Sequence, residues 1–357
     1  MPAPPRSEAL LAALRLVAPG TALREGIERV MQGRMGALLV VGAGPDVLGV
    51  CSGGFLLDAE FTPQRLSELA KMDGAIIVNE DCSRIVRANV HLVPDHNIPT
   101  SETGTRHRTA ERVARQIPVP VITVSEDRSE VAIHVRGLKR AIEPTPRVMA
   151  RADQAMQILE RYKARLDAVS ASLSALEIED LVTVRDVGIV LQRAEMVRRI
   201  SDEIEGYVIE LGADGRLVHL QLDELVGGVE DDRRLVAKDY MRAGPGWELS
   251  DVVTRLAELG DDALLDFDEV VAVLRLGPGV TLESALQPRG YRILRKIPRI
   301  PDSVADHVVA RFTNLQKLMR ASENELVQVD GVGDARARTI KDGLSRLAET
   351  SILERYS

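Results

Sequence analysis

The chain has 357 residues, 45% hydrophobic and 28% charged, a globular balance that excludes a largely disordered, collagen-like or membrane-embedded protein. At roughly 150 residues per domain, two or three domains are expected. The net charge of −8 is uneven: residues 288–357 hold 13 Lys/Arg against 9 Asp/Glu, a surplus of four, so a mildly basic tail sits on an acidic body and fits a polyanion partner. No stretch approaches 18 uncharged apolar residues, and the apolar run 10–17 is interrupted by Arg15, so a cytoplasmic location with no membrane segment is expected. Cys51 and Cys82 form no CxxC or Cys/His pattern, so neither a disulfide framework nor a structural zinc is signalled.

Residues 1–146 read as a mixed α/β domain, because short β-rich runs at 37–41, 75–78, 85–90, 121–124 and 131–135 alternate with amphipathic helical stretches. A sheet covered by helices is the natural packing. No Walker A motif is present, and Gly42-Ala43-Gly44 fails the dinucleotide pattern at Val47. Two other places carry chemistry. Asp73-Gly74-Ala75 precedes the second run, and Thr103-Gly104-Thr105-Arg106-His107-Arg108-Thr109 opens a helix read from Ala110, Val113, Ala114 and Ile117. Cations in a first turn oppose the helix dipole unless an anion sits there, so this cluster reads as a phosphate site rather than a solvated charged face. Asp-Gly alone is an ordinary turn pair. Beside a phosphate cradle, however, a carboxylate at a strand edge suits Mg²⁺ or Mn²⁺ and the activation of a hydroxyl. Ser125-Glu126-Asp127-Arg128 ends another run with a second carboxylate and an arginine. The remaining histidines, His91 and His134 among them, show no ligand spacing and read as surface or packing residues.

Proline at 144 and 146 breaks both periodicities and sets the first expected boundary. Residues 147–287 read as an all-α spine. Leu159, Tyr162, Leu166, Val169, Leu173 and Leu176 recur at alternating spacings of three and four, one face of a long core-facing helix. Glycine and proline at 277–279 and 288–290 set the second boundary. In residues 288–357, Ile297, Ile300 and Ala305 align with Val329, Val332 and Ala337 at an offset of 32, as two helix, hairpin, helix units. In the second, Gly331-Val332-Gly333 offers exposed amides at the start of a helix from Asp334, suited to one backbone phosphate, with Arg336 beside it. In the first, Pro301 has no amide to offer, so that copy reads as structural.

The stretches MDGAIIVN, RIVRANVHLVPDHNIPTSETGTRHRTAERVARQ and VITVSE resemble the diadenylate cyclase family, with its DGA and RHR motifs intact at 73–75 and 106–108. PRGYRILRKIPRIP and VDGVGDARARTI are similar to the helical remainder of that family's DisA branch, so the resemblance spans essentially the whole chain. It implies condensation of two ATP molecules into cyclic di-AMP with release of two pyrophosphates. It also implies Asp73 as hydroxyl activator and metal holder, and Gly74 and Ala75 lying close to the nucleotide. Arg106, His107, Arg108, Thr105 and Thr109 would be phosphate ligands, and Leu92, Ser125 and Arg128 would line the nucleotide. Glu126 would be a second metal ligand, and the cofactor Mg²⁺ or Mn²⁺. An octamer, and a tail that binds branched DNA through Gly331, Val332, Gly333 and Arg336, are implied as well. One ATP per domain requires two facing sites for in-line attack, so a monomer is expected to be inactive. The alternatives are a non-catalytic DNA-binding or architectural protein with a nucleotide-sensing domain, and a base-excision glycosylase. The intact DGA and RHR pair speaks against the first, and the N-terminal α/β domain against the second.

Overall fold

A computed structural model describes residues 8–125, 130–242, 244 and 246–355. These divide into two compact units, one within Met1–Gln154 and Glu203–Gln221, the other within Ala155–Asp202 and Leu222–Ser357.

The first unit is built on an eight-stranded mixed sheet. Its strands are β1 (Ala37–Val41), β2 (Cys51–Ser52), β3 (Phe55–Glu60), β4 (Ala75–Val78), β5 (Arg84–Leu92), β6 (Val121–Ser125), β7 (Glu130–Val135) and β8 (Leu138–Ala141). Their order is β2-β5-β4-β1-β6-β7-β8, with β3 also on β5; only β1 and β4 run parallel. Alternation sorts the side chains. Leu39, Val41, Ile76, Val78, Ile122, Val124 and Ile133 pack on one face beneath the helices Glu8–Leu16, Ala22–Gln32 and Pro63–Leu69. Leu38, Val40, Ala75, Ile77, Val90, Leu92 and Val121 pack on the other beneath the helix Thr105–Gln116, through its Ala110, Val113 and Ala114. With both faces covered, β1 and β4 are buried along their whole length, which is why they read as continuous apolar runs. The cysteines are unpaired: Cys51 packs into the second of these clusters and Cys82 into the first, on opposite faces of the sheet.

The five predicted strands are present, and three more were not anticipated. β2 is two residues long, β8 is nearly all exposed, and β3 presents Phe55 and Leu56 to solvent at 56% and 74% exposure, so none shows the alternation that marks a half-buried strand.

The second unit is helical. The helix Thr145–Glu179 starts at the expected break rather than after it, and its residues 145–154 group with the first unit. Leu159, Leu166 and Leu173 of the predicted seam are buried, and Tyr162, Val169 and Leu176 are partly buried. The tail forms the two predicted units: Tyr291–Arg295 and Asp302–Phe312 flank the first hairpin, Glu323–Val327 and Asp334–Arg355 the second. Ile297, Ile300, Val329, Val332 and Ala337 share one core, with Ala305 packed against it. No boundary by compactness falls near residue 288, and the reason is chemical. The buried Asp239 carboxylate accepts the backbone N–H groups of Gly290, Tyr291 and Arg292, each at 2.8 Å. The buried Arg292 guanidinium pairs with Glu177 at 2.7 Å, and the Tyr240 hydroxyl donates to the same carboxylate at 2.7 Å. Among the described residues, no helix is long and apolar enough to cross a membrane.

Candidate active site

A cleft of about 460 Å³ opens on the helix Thr105–Gln116 side of the sheet. It is lined by Asp73, Gly74 and Ala75 at the start of β4, by Leu92 of β5 and Ser125 of β6, and by Thr105, Arg106, His107 and Thr109 of the helix. Nine predicted residues, separated by up to 52 positions, thus share one cavity. Ser125 is there because it lies on the same face as Thr123 and Val121, two and four residues back along β6. Arg108 does not line the cleft. It is exposed, because two positions along a helix turn a side chain about 200° away from Arg106. Glu126 and Arg128 lie outside the described residues. The sequence reading passed over His91, which lies in the cleft wall at the end of β5 opposite Ser52. An isolated exposed histidine carries no periodic signal.

Gly74 has a sharper requirement than nearness to a ligand. Its φ of +137° disfavours any side chain, and a Cβ there would lie 2.8 Å from the backbone of Asn89, itself left-handed at +54°. β4 and β5 shift register just beyond Ala75, and the glycine sets Asp73 before the N-terminal end of β4, an inner strand flanked by β5 and β1.

The helix begins at Gly104 with no side-chain cap, so the first-turn amides have no acceptor within the helix. Its approach loop is pinned from behind. Glu111, on the next turns of the helix, accepts from the Thr100 hydroxyl at 2.5 Å, the Ser101 amide at 3.0 Å and Arg115 at 2.6 Å. Burial alone would push the Glu111 carboxyl up, but these donors outweigh it and hold it below the usual range. Behind His107 lies a second histidine, which the sequence reads as a surface or packing residue and the structure buries. His134 of β7 is 1% exposed, its ring centre 6.4 Å from that of His107, and Lys139 pairs with Glu102 at 2.7 Å. Burial pushes the His107 imidazole below its ordinary range, with Glu102 opposing and Lys139 assisting, and its buried Nδ1 has no partner among the described residues. Of the two arginines in the first turn, only Arg106 lines the cleft beside His107.

Three family models match in order: the DisA bacterial checkpoint controller nucleotide-binding domain over residues 24–138, the DisA linker region over 142–282, and the helix-hairpin-helix motif over 293–352. The chain is 54% identical over 361 residues to a DNA integrity scanning protein DisA of Kineococcus radiotolerans, covering 100% of both chains. It is 53% identical over 352 residues to that of Acidothermus cellulolyticus, covering 98% of this chain and 96% of the relative. The chain belongs to the DisA family. It is a diadenylate cyclase that carries a helix-hairpin-helix module. Among solved structures, a hypothetical membrane spanning protein from Bacillus cereus matches 34% of this chain and 62% of its own, at 25% identity and a TM-score of 0.31.

In this member of the DisA family the two hairpins share one backbone feature. Gly331 is left-handed at φ +81°, and its place in the first hairpin is taken by Arg299 at +67°. The Val332 side chain is 4% exposed and belongs to the module's core, so only its backbone is available to a partner. Arg336 donates to the Gly331 carbonyl at 2.6 Å and closes the second hairpin. The first is backed by the helix Val229–Tyr240, across a 230 Å³ pocket lined by Ile300, Asp302, Lys238 and Tyr291.

The buried His134 gives a pH prediction. Burial, aided by Lys139, lowers its imidazole to about 4. Its stabilising contribution as a neutral ring is complete above the unfolded value near 6.5 and is lost as pH falls toward 4. Between pH 6.5 and 5 the loss is about 2 kcal/mol. Denaturant unfolding at pH 7.5 and 5 should therefore show the advantage of the wild-type chain over His134→Gln shrinking by that amount. An unchanged gap would mean that His134 is protonated in the fold.

Proposed function

We propose that the chain condenses two ATP molecules into cyclic di-3′,5′-adenosine monophosphate and two pyrophosphates across a pair of facing clefts. The observation that carries this reading is the cleft, whose wall brings together Asp73 and the uncapped, arginine-bearing turn of the helix Thr105–Gln116. In this reading the first-turn amides, Arg106, Thr105 and Thr109 bind the triphosphate, and His107 donates a hydrogen bond to it. Asp73 accepts the proton of the ribose 3′-hydroxyl as that oxygen attacks the opposite α-phosphorus and pyrophosphate leaves. Gly74, Ala75, Leu92 and Ser125 shape the nucleotide wall.

One cleft holds one ATP, so attacking and leaving groups lie in line only when two copies face each other. Arg108, exposed on the other side of the helix, is then free for the nucleotide of the facing copy. An octamer, in which several such pairs form, extends the same requirement. Mg²⁺ or Mn²⁺ suits the donors present, since such hard cations take one or two carboxylates and complete their shell with phosphate oxygens and water. Asp73 would hold it, with Glu126 as a second ligand; bound there, the ion neutralises charge on the phosphates.

We assign residues 1–146 to the cyclase, 147–287 to the spine and 288–357 to DNA binding. The second hairpin, through its amides and Arg336, contacts the backbone of branched DNA without reading sequence, and bound DNA lowers turnover.

Incubating the full chain with ATP and Mn²⁺ and weighing the product tests the reaction. A cyclic dinucleotide is expected; its absence leaves a nucleotide-sensing DNA-binding protein. Solution mass tests the assembly, and a monomer with full activity would overturn facing sites. Arg106→Ala is expected to weaken ATP binding about tenfold or more, because charge-assisted contacts to phosphate act in the ground state as well. An unchanged ATP dissociation constant would place the triphosphate elsewhere.

A further inference from the structure

Arg106 is half-buried in the cleft wall and, among the described residues, makes no ion pair or side-chain hydrogen bond. A long side chain so free of partners would ordinarily sample several rotamers and lose that freedom on binding. Its guanidinium lies against a neighbour with no side chain. Gly36 immediately precedes β1, two residues before Leu38 of the cleft wall. A Cβ on Gly36 would lie 2.0 Å from Arg106 Nη1, 2.7 Å from Cζ and 3.0 Å from Nη2. The planar guanidinium therefore occupies the space in which every other residue at position 36 would carry its first carbon.

The backbone gives no reason for glycine there. Gly36 is absent from the left-handed glycines, and no backbone atom is among the three nearest to the added carbon. Alanine at such a position ordinarily stabilises a fold slightly, by narrowing the unfolded ensemble. We propose that Gly36 is a positioning residue for triphosphate binding: its missing side chain leaves the notch that seats the Arg106 guanidinium in the cleft wall before ATP arrives. The proposal rests on the reading of Arg106 as a phosphate ligand. Gly36 touches no reacting atom, and it acts by setting where the positive charge stands.

The test is a double-mutant cycle in the full-length chain, with Gly36→Ala, Arg106→Ala and the double variant. It is read as ATP dissociation constant by calorimetry without added metal, and as melting temperature. Gly36→Ala should weaken ATP binding about tenfold, the scale of a misplaced charge-assisted contact. The double variant should bind no more weakly than Arg106→Ala, because the added methyl then has nothing to displace. It should melt no lower than Arg106→Ala. Binding by Gly36→Ala equal to wild type, with Arg106→Ala weakened, would overturn the proposal and leave the phosphate reading standing. Binding by Arg106→Ala equal to wild type would overturn both. Effects that multiply in the double variant would show that the methyl acts through some other group. Should Gly36→Ala fail to fold, a folded double variant supports the notch, and an unfolded one overturns it.

Discussion

Asp73→Asn is expected to lower formation of cyclic di-AMP by about three orders of magnitude, the scale of losing a positioned general base together with a metal-holding charge. The amide is nearly isosteric, and Asp73 is exposed at the strand edge, so the fold should be unaffected. The cleft retains Arg106 and the first-turn amides, so the ATP dissociation constant should move less than about threefold. The result would be loss of turnover with binding preserved, the signature of a group needed in the transition state only. Product mass over time, beside calorimetric ATP binding, reads both quantities. Turnover near that of wild type would remove Asp73 from the chemistry. Equal loss of binding and turnover would make it a ground-state ligand instead.

Much of this site was legible because its chemistry violates local rules. Cations in a helix first turn are unfavourable without an anion, and that made residues 105–109 visible in the sequence. Apolar runs at 37–41 and 75–78 announced strands covered by helices, and so placed Asp73 just before the start of a strand. Residues whose role lies in what they lack, or in what they face across the fold, were not legible. Gly36 looks like any loop glycine until the guanidinium of a residue 70 positions later is seen in its Cβ space. His134 sits in an unremarkable β run, and only tertiary packing sets its ring beside His107. Arg108 reads as an equal partner of Arg106 until the helix turns it out of the cleft. The tail repeat was legible from its apolar register, but its continuity with the spine was not. That continuity is made by Asp239 and Glu177, carboxylates some 50 and 115 positions before Arg292, with no periodic pattern to link them.

This continuity decides how regulation by DNA is to be tested. Deleting residues 288–357 would strip Asp239 of three N–H donors and Glu177 of its arginine, leaving Glu177 with the Tyr240 hydroxyl as its donor, at a cost of several kcal/mol. A truncated chain would confuse loss of DNA with loss of fold. A single change in the second hairpin avoids this. Gly331 sits at φ +81°, and a side chain there would meet Val304 Cγ2 at 3.2 Å, so a β-branched residue is opposed by both backbone and neighbour. Gly333 has open space around it and no left-handed angle, so substitution there would leave the turn intact. Gly331→Val should therefore open the hairpin, costing about 1–3 kcal/mol locally, while the buried contacts of Asp239 and Glu177 hold the module in place. Affinity for a four-way junction should fall at least about tenfold, as amides aimed at a phosphate are lost. In the wild-type chain, junction DNA that strains the assembly need shift facing sites only about 1 Å to slow the reaction ~100-fold. Cyclase assays with and without junction DNA should thus show inhibition of the wild-type chain that weakens with added salt, and little inhibition of Gly331→Val at equal basal rate. Equal inhibition of both would move the DNA contact away from this hairpin. A wild-type chain that binds the junction without slowing would reduce the module to an anchor that brings the cyclase to DNA.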